Sequence, residues 1–258
     1  MVQVTAVPAF RDNYIWAIHA KQGEDHAAVL VDPGDPDAIL SWLESQGARP
    51  VAVLITHHHS DHVGGLAALA QRWPVLVYGP GKESIPGVTH PLAEGNTIDL
   101  PELGLTFQVV ETPGHTRGHV CYYGHGLLFS GDTLFSCGCG RLFEGTPEEM
   151  HRSLQKLARL PPETQVYCAH EYTLPNIGFA KEVDDGNPAL VARHRDARQL
   201  RKAGLPTLPS TIGQELATNP FLRCHEPAVR VAISHHAGCA VNTDIEAFSR
   251  LRQWKDSY

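Results

Sequence analysis

Residues 56–65 read THHHSDHVGG, and four histidines and one aspartate fall within the six positions 57–62. His57 and His59 are two residues apart, so in an extended segment their side chains point to the same side. Asp61 and His62 follow at the start of a predicted helix. Imidazole nitrogens and carboxylate oxygens are ligands that zinc, iron and manganese accept in proteins. The stretch therefore predicts a metal site, and donors this close together can serve more than one ion.

The sequence around this cluster predicts where it lies in the fold. VAVLIT, residues 51–56, is a continuous apolar run, which is typical of a strand buried on both faces. Open α/β sheets bind ligands beyond the carboxyl ends of their strands. Three later stretches each offer one donor at a predicted turn or strand end: His115 in ETPGHTRGH (111–119), Asp132 in FSGDT (129–133) and His170 in YCAHEYT (167–173). These three residues are the candidates that would complete a site for two ions.

The cluster also has simpler interpretations, a histidine-rich surface loop or an expression tag. A tag is terminal and homopolymeric, whereas this stretch lies between a predicted strand and a predicted helix. His58 is predicted to be a non-ligand, because its neighbours on both sides face the other way. His119 is predicted to pack or to support a ligand. Asp32 either accepts a hydrogen bond from a ligating imidazole or ends a strand in a turn.

The order of the predicted elements indicates an α/β protein with a helical end. Strand-like and helix-like patterns alternate as far as QVYCAH, residues 165–170, which we expect to be the last strand. A helix is expected over 63–72, directly after the histidine cluster. Beyond residue 171 the pattern is helical, over roughly 174–183, 188–203, 226–234 and 244–255. We therefore expect a domain boundary near residue 170.

The composition excludes several classes of protein. The chain has 258 residues, 42% of them apolar and 19% charged, which is typical of a soluble globular protein. Its net charge of −7 argues against nonspecific binding to nucleic acid or to an acidic membrane. No apolar run approaches the ~20 residues that span a bilayer, and the start has no signal-peptide pattern. We expect a cytoplasmic monomer that acts on a small molecule.

The ordered set of donors resembles that of the metallo-β-lactamase superfamily. The match is H-x-H-x-D-H at residues 57–62, followed by single donors near residues 115, 132 and 170. The resemblance implies an α/β fold of the four-layer αββα sandwich type with a two-metal site. It assigns His57, His59 and His115 to one ion and Asp61, His62 and His170 to the other. It also implies that Asp132 bridges both ions, together with a water or hydroxide.

Most of the remaining chain resembles the hydroxyacylglutathione hydrolase, or glyoxalase II, family. The resemblance rests on DNYIW (12–16), THHHSDH (56–62), CGCGRLFEGT (137–146), HEYT (170–173), NPFLR (219–223) and RQWKD (252–256). It implies cleavage of S-(2-hydroxyacyl)glutathione, chiefly S-D-lactoylglutathione, to glutathione and D-lactate, the second step of methylglyoxal detoxification. It further implies a metallo-β-lactamase-like, metal-binding catalytic domain over residues 1–170 and a small all-α, glutathione-binding domain over residues 171–258.

Five residues stand at positions where that family contacts its substrate. Glutathione carries two carboxylates and one ammonium, so an acidic protein needs fixed cations to bind it. Arg252 and Lys255 are three apart on a predicted helix and share a face; the resemblance implies that they bind the glycine carboxylate, and the alternative is that they offset the helix dipole. Arg141 and Tyr172 match two further contacts. Phe143 stands where some relatives have tyrosine, so a hydroxyl contact worth about 0.5–1.5 kcal/mol is absent.

The resemblance also implies a mechanism. Metal ions lower the pKa of bound water toward about 7, so a metal-bridging hydroxide would be the nucleophile, with Asp132 and Asp61 as the catalytic carboxylates. Two divalent ions are expected, zinc first, with iron or manganese as alternatives because these ligands accept all three. The rival functions are an iron-dependent glutathione persulfide dioxygenase of the same superfamily and a non-catalytic metal-binding module. NPFLR and the R-x-x-K spacing in the helical part favour the hydrolase.

Overall fold

The computed structural model describes residues 2–20 and 26–258. The chain forms two compact units. The first contains the residues up to Glu111 together with Arg117–Gly131, and the second contains Thr112–Thr116 together with Asp132–Tyr258. This division follows contacts in space, whereas the expected domains 1–170 and 171–258 divide the sequence, and that second division remains a prediction.

The first unit combines strands with three helices in its described residues. The strands are β1 (Val2–Ala9), β2 (Asn13–Ala20), β3 (Ala27–Val31), β4 (Arg49–Leu54), β5 (Leu76–Pro80), β6 (His90–Leu92), β7 (Thr97–Leu100), β8 (Leu105–Glu111), β9 (Val120–Gly124) and β10 (Leu127–Gly131). The helices are α1 (Pro36–Gln46), α2 (Ser60–Val63) and α3 (Leu66–Arg72).

A six-stranded sheet with the order β1-β2-β3-β4-β5-β6 carries the histidine cluster. Its first three strands are antiparallel neighbours, and β3 to β6 run parallel. Every residue of β4 except Arg49 is buried, as the apolar run predicted. The helices α1 and α3 bury Ile39, Leu43 and Leu69 against this sheet. Burial on that scale fixes the end of β4, and the cluster follows it immediately.

The strands β7 to β10 form an antiparallel meander in the same unit. In β8 the residues alternate, with Leu105, Phe107 and Val109 buried and the threonine and glutamine between them exposed. Such alternation is expected of an antiparallel strand with one face on the core. The buried Tyr122 hydroxyl of β9 donates a hydrogen bond to the Ile55 carbonyl, just beyond β4. The meander is therefore tied to the segment that begins the histidine cluster.

The second unit is mainly helical. It contains the hairpin β11 (Leu134–Phe135) and β12 (Gly138–Cys139) and the antiparallel pair β13 (Gln165–Cys168) and β14 (Ser210–Thr211). Its helices are α4 (Pro147–Leu157), α5 (Thr173–Val183), α6 (Pro188–Lys202), α7 (Ile212–Thr218), α8 (Pro227–Ala237) and α9 (Asp244–Ser257). None of the helices in the described part of the chain has the length and apolar character needed to cross a bilayer.

Three sequence expectations need correction. The helix expected over 63–72 is interrupted at Gly64 and Gly65, and its first turn begins earlier, at Ser60. QVYCAH is not the last strand, because Ser210–Thr211 pairs with it. The short helix α7 was not predicted. It has only seven residues and contains Gly213, so its apolar periodicity is too brief to detect.

Glycines allow two loops to pack against each other beside the cluster. A Cβ atom added to Gly34 would lie 1.7 Å from the carbonyl oxygen of Asp61. A Cβ on Gly64 would lie 2.4 Å from the Gly34 oxygen, and one on Gly65 would lie 2.4 Å from the Pro33 oxygen. Backbone therefore lies directly on backbone, and only glycine fits at these three positions.

The substitution Gly34→Ala should destabilise the protein, because the added methyl group cannot be accommodated without moving the backbone at Asp61. Overpacking of this kind costs about 1–3 kcal/mol, and each kcal/mol lowers the Tm by roughly 2–4 °C in a protein of this size. The matched control is Gly186→Ala, since no atom lies within 4 Å of a Cβ added there. Differential scanning calorimetry compares the two, and an unchanged Tm for Gly34→Ala would refute the packing argument.

Candidate metal centre

His57 and His59 lie side by side in the segment that follows β4. His57 is buried, and its Nε2 is 3.0 Å from Nδ1 of His59. The Thr56 hydroxyl donates a hydrogen bond to Asp32 Oδ2 at 2.7 Å, so it accepts one from Nδ1–H of His57 at 3.0 Å. That assignment leaves the lone pair of His57 on Nε2, beside the nitrogen of His59. The two rings thus present metal-binding atoms at one point, as their spacing predicted.

Asp61 and His62 form the second pair of donors in the first unit. Nε2 of the buried His62 lies 3.5 Å from Oδ2 of Asp61. The other ring nitrogen, Nδ1, lies 3.0 Å from Oδ2 of the buried Asp32. The side-chain amide of Asn13 donates a hydrogen bond to Asp61 Oδ2 at 3.0 Å. Asn13 belongs to DNYIW, but nothing in the sequence links it to an aspartate 48 positions away.

Asp32 supports the whole cluster from the end of β3. It is buried, has a left-handed backbone with φ of 51°, and accepts a hydrogen bond from the Thr56 backbone N–H at 2.8 Å in addition to the contacts above. Of the two interpretations of Asp32, the structure supports the hydrogen-bond acceptor. His58 points away, with Nδ1 2.9 Å from Oε2 of Glu83. The buried His119 stacks on the His57 ring at 5.0 Å, which is the packing role predicted for it.

In the second unit His115 and His170 both lie close to one carboxylate oxygen of Asp132. Nε2 of His115 and Nε2 of His170 each lie 3.4 Å from Oδ2 of Asp132, and all three side chains are buried. Nδ1–H of His115 donates to the Arg141 carbonyl at 2.8 Å, which leaves the lone pair of Nε2 facing the carboxylate. The His170 ring stacks on Tyr172 with a centroid distance of 4.6 Å and an angle of 5°.

The chemistry of these donors fits divalent metal ions. The donor atoms are imidazole nitrogens and carboxylate oxygens, without a thiolate, which is the ligand set of a Zn²⁺, Fe²⁺ or Mn²⁺ site. Around Asp132, lone pairs of a carboxylate and of His115 face each other at 3.4 Å inside the protein. Such buried acceptors repel unless a proton or a cation lies between them. A bound cation would remove this repulsion, because the lone pairs of each group of donors would then point at a positive charge.

A cavity of about 410 Å³ opens beside Asp132 within the second unit. This volume is in the usual range for small-molecule sites. Its lining includes two candidate metal ligands, His115 and Asp132, and all five predicted substrate contacts, Arg141, Phe143, Tyr172, Arg252 and Lys255. Sequence reasoning did not select Pro175 and Asn176, which also line it and which carry no chemical signature.

The cations of this cavity differ in exposure and in charge state. Burial lowers the pKa of Lys255 to about 8, and the neighbouring Arg252 acts in the same direction. Its ammonium lies 4.9 Å from the centre of the Phe179 ring. Arg252 is buried and donates to the Cys139 carbonyl at 3.0 Å, while its Nε makes no hydrogen bond within the described residues. Phe143 is 63% exposed and meets the His115 ring edge-on.

Two family models together match nearly the whole chain. Residues 14–170 match the metallo-β-lactamase superfamily, and residues 171–258 match the hydroxyacylglutathione hydrolase C-terminus. A protein named hydroxyacylglutathione hydrolase from Nitrosomonas europaea is 50% identical over 258 residues, which is 100% of this chain and 97% of that relative. The chain belongs to the hydroxyacylglutathione hydrolase (glyoxalase II) family of the metallo-β-lactamase superfamily.

Solved structures bear out the fold of this hydroxyacylglutathione hydrolase family member. ETHE1 from Myxococcus xanthus superposes with a TM-score of 0.67 at 24% identity, covering 98% of this chain and 90% of its own, which speaks for the fold alone. TTHA1623, solved in a di-iron-bound form, is 30% identical with a TM-score of 0.57, covering 84% of this chain and 100% of its own. The predicted α/β fold of the metallo-β-lactamase type with a helical C-terminal part is confirmed. Family membership and the donor chemistry together indicate a divalent metal site.

The substitution Asp32→Asn tests the support of the histidine cluster. Oδ1 of Asp32 accepts from the Thr56 N–H and Oδ2 accepts from the Thr56 hydroxyl, so asparagine would replace one acceptor with a donor. It would also remove the negative charge that lies 3.0 Å from Nδ1 of His62. Loss of such a supporting carboxylate lowers metal affinity by about 10–100-fold. Asp35→Asn is the matched control, because Asp35 caps α1 and asparagine caps equally well. Competition with a chromogenic chelator measures the metal affinity of each variant. An affinity of Asp32→Asn within twofold of that of the unchanged protein would contradict the supporting role of Asp32.

Proposed function

We propose that this protein hydrolyses the thioester of S-(2-hydroxyacyl)glutathione, chiefly S-D-lactoylglutathione, and releases glutathione and a 2-hydroxy acid such as D-lactate. This is the second step of methylglyoxal detoxification. Family membership and the printed name of the relative with 50% identity support the assignment. The observation that carries it is the single cavity in which two candidate metal ligands adjoin a group of cations suited to glutathione.

We propose two divalent ions per chain, zinc first, with iron or manganese as alternatives. One ion would be held by His57, His59 and His115 and the other by Asp61, His62 and His170, with Asp132 between them. The close pairs of donors within each unit support this assignment, and so does the di-iron form of TTHA1623. When bound, the ions supply hydroxide at neutral pH and polarise the thioester carbonyl.

The protein's own residues hold the ligands in the state that this chemistry requires. Thr56 fixes the tautomer of His57, and the Arg141 carbonyl fixes that of His115. Asp61 is held by the amide of Asn13. These three donors are therefore oriented before the ions or the substrate bind, so less ordering is needed at the moment of reaction. The leaving group is a thiol with a pKa of about 8.5, and its thiolate departs without a strong general acid.

The cations of the cavity bind the glutathione part. The carboxylate of Asp256 lies 3.0 Å from a nitrogen of Arg252 and 3.9 Å from one of Arg141, so it offsets part of their charge. Lys255 and the Arg252 guanidinium, which both line the cavity, then supply the positive charge for a substrate carboxylate. Tyr172 adds its ring beside His170. Phe143 contributes an apolar surface at the mouth of the cavity, where a hydroxyl contact is absent.

We further infer that the protein acts as a cytoplasmic monomer on this small molecule, without nucleic-acid or membrane partners. The net charge of −7 supports the absence of nucleic acid and anionic membrane as partners. The cytoplasmic location stays a prediction that cell fractionation tests. The monomeric state stays a prediction that gel filtration tests.

The proposed activity is tested by the loss of thioester absorbance from S-D-lactoylglutathione. Protein loaded with zinc should hydrolyse it rapidly, because both donor groups and the cations are in place. Removal of the metal with a strong chelator should abolish the rate, and added zinc, iron or manganese should restore it. No hydrolysis by fully loaded protein would refute the function. Oxygen consumption with glutathione persulfide would then indicate the dioxygenase alternative.

The charge of Lys255 predicts how substrate binding depends on pH. With a pKa of about 8, Lys255 is an ammonium below that pH and a neutral amine above it. The Michaelis constant should therefore rise, and kcat/KM should fall, as pH increases through about 8. Arg252, Arg141, Asp256 and Cys139 also face this group and contribute to its pKa.

Lys255→Arg separates this effect from titration of the substrate's own amino group. Arginine stays charged throughout the pH range of such an assay, so the inflection near pH 8 should disappear in the variant. Lys202→Arg, on the exposed surface of α6, is the control and should leave the profile unchanged. An inflection that persists in Lys255→Arg would show that another group controls binding.

A further inference from the structure

The hairpin β11–β12 forms part of the cavity wall and lies between two functional residues of the chain, Asp132 and Arg141. Phe135 and Cys139 of this hairpin line the cavity. A Cβ on Gly140, the next residue, would lie 1.9 Å from the Asp132 carbonyl oxygen and 3.1 Å from Nδ1 of His115. The position of the hairpin is thus coupled to the metal side of the cavity by direct backbone contact.

Side chains from three helices, α5, α7 with its C-cap residue, and α9, bind the backbone of this hairpin. The amide of Asn219 donates to the carbonyls of Phe135 at 3.1 Å and Gly138 at 2.9 Å. The amide of Asn176 donates to the Ser136 carbonyl at 3.1 Å, and Arg252 donates to the Cys139 carbonyl at 3.0 Å. In each of these contacts a side chain donates a hydrogen bond to a backbone carbonyl. The backbone N–H of Cys137 has a carboxylate as its acceptor, Oε2 of Glu215 at 2.7 Å.

Glu215 is a fully buried carboxylate in α7 that the proposed mechanism does not use. Its Oε2 accepts hydrogen bonds from two donors, Cys137 N–H at 2.7 Å and the Asn219 amide at 3.1 Å. Burial raises the pKa of its carboxyl group, and the hydrogen bonds and the nearby Arg193 oppose that rise. Cys137 has φ of 56°, a left-handed conformation that a non-glycine residue keeps only when its surroundings hold it.

A buried acceptor that two donors share is costly to lose. Its removal would leave the buried Cys137 N–H without its acceptor, and a buried donor that loses its acceptor is costly. The Asn219 amide would keep the Phe135 and Gly138 carbonyls as acceptors but would lose the carboxylate that also holds its nitrogen. The hairpin would relax, and the Cys139 carbonyl that fixes the Arg252 guanidinium would move with it.

We propose that Glu215 is a positioning residue for glutathione binding: through the Cys137 N–H and Asn219 it holds the β11–β12 hairpin, and through the hairpin it holds Arg252 in the cavity. It touches neither substrate nor metal ligands. The inference rests on the proposed function, because it assigns Arg252 to the glutathione part. Its consequence is specific: loss of Glu215 weakens substrate binding more than it slows turnover.

Two nearly isosteric substitutions separate the acceptor from the charge. Glu215→Met keeps the length of the side chain but removes the acceptor, whereas Glu215→Gln can place its amide oxygen at the Oε2 position and accept from both donors. We expect KM for S-D-lactoylglutathione to rise at least tenfold in Glu215→Met, with kcat within threefold and metal content unchanged. KM in Glu215→Gln should stay within threefold. Glu163→Met, at an exposed carboxylate of the same unit, is the control.

Binding of S-methylglutathione, which has no thioester to hydrolyse, gives a readout that does not depend on activity. Calorimetric titration should show weaker binding to Glu215→Met by the same factor as the rise in KM. A merely structural role would lower the active fraction, so kcat would fall at constant KM and unchanged affinity, which would overturn the proposal. If Glu215→Met does not fold, Glu215→Asp, one methylene shorter, should show the same rise in KM. Wild-type protein that binds S-methylglutathione without hydrolysing S-D-lactoylglutathione would refute the proposed function alone.

Discussion

The buried carboxylate of Asp32 is the interaction on which the histidine cluster depends. It accepts hydrogen bonds from the Thr56 backbone and hydroxyl, and its Oδ2 lies 3.0 Å from His62. One side chain at the end of β3 thus fixes the end of the adjacent β4 and lies beside the His62 ring in α2. Because Thr56 in turn fixes His57, the tautomer of that proposed metal ligand depends on Asp32. A carboxylate can do this because it offers acceptors in several directions.

In the second unit the β11–β12 hairpin supplies backbone N–H and carbonyl groups. Polar side chains on the helices, or at their ends, bind these groups. Glu215, Asn219 and Arg252 come from positions 76 or more residues further along the chain than the hairpin. The helical segment after His170 contains none of the proposed metal ligands, which all come from the chain up to that residue. It shapes the cavity wall and supplies two of its cations, Arg252 and Lys255.

The sequence predicted the parts of this protein that depend on local pattern. The apolar run of β4 and the H-x-H-x-D-H spacing are each contained in a few consecutive residues. The supporting contacts could not be predicted in this way. Asn13 binds a residue 48 positions away, and Gly34 is required only because the Asp61 carbonyl lies against it. In the sequence nothing distinguishes Glu215 from other polar residues. Only its complete burial beside the Cys137 N–H indicates its role.

We propose that the seven candidate ligands hold two divalent ions. Anomalous diffraction from crystals of the zinc-loaded protein tests it most directly. The account predicts two peaks, one about 2.0–2.2 Å from nitrogens of His57, His59 and His115 and the other at the same distance from donors of Asp61, His62 and His170. Asp132 should lie within bonding distance of both. A single peak, or peaks bound by other residues, would contradict it.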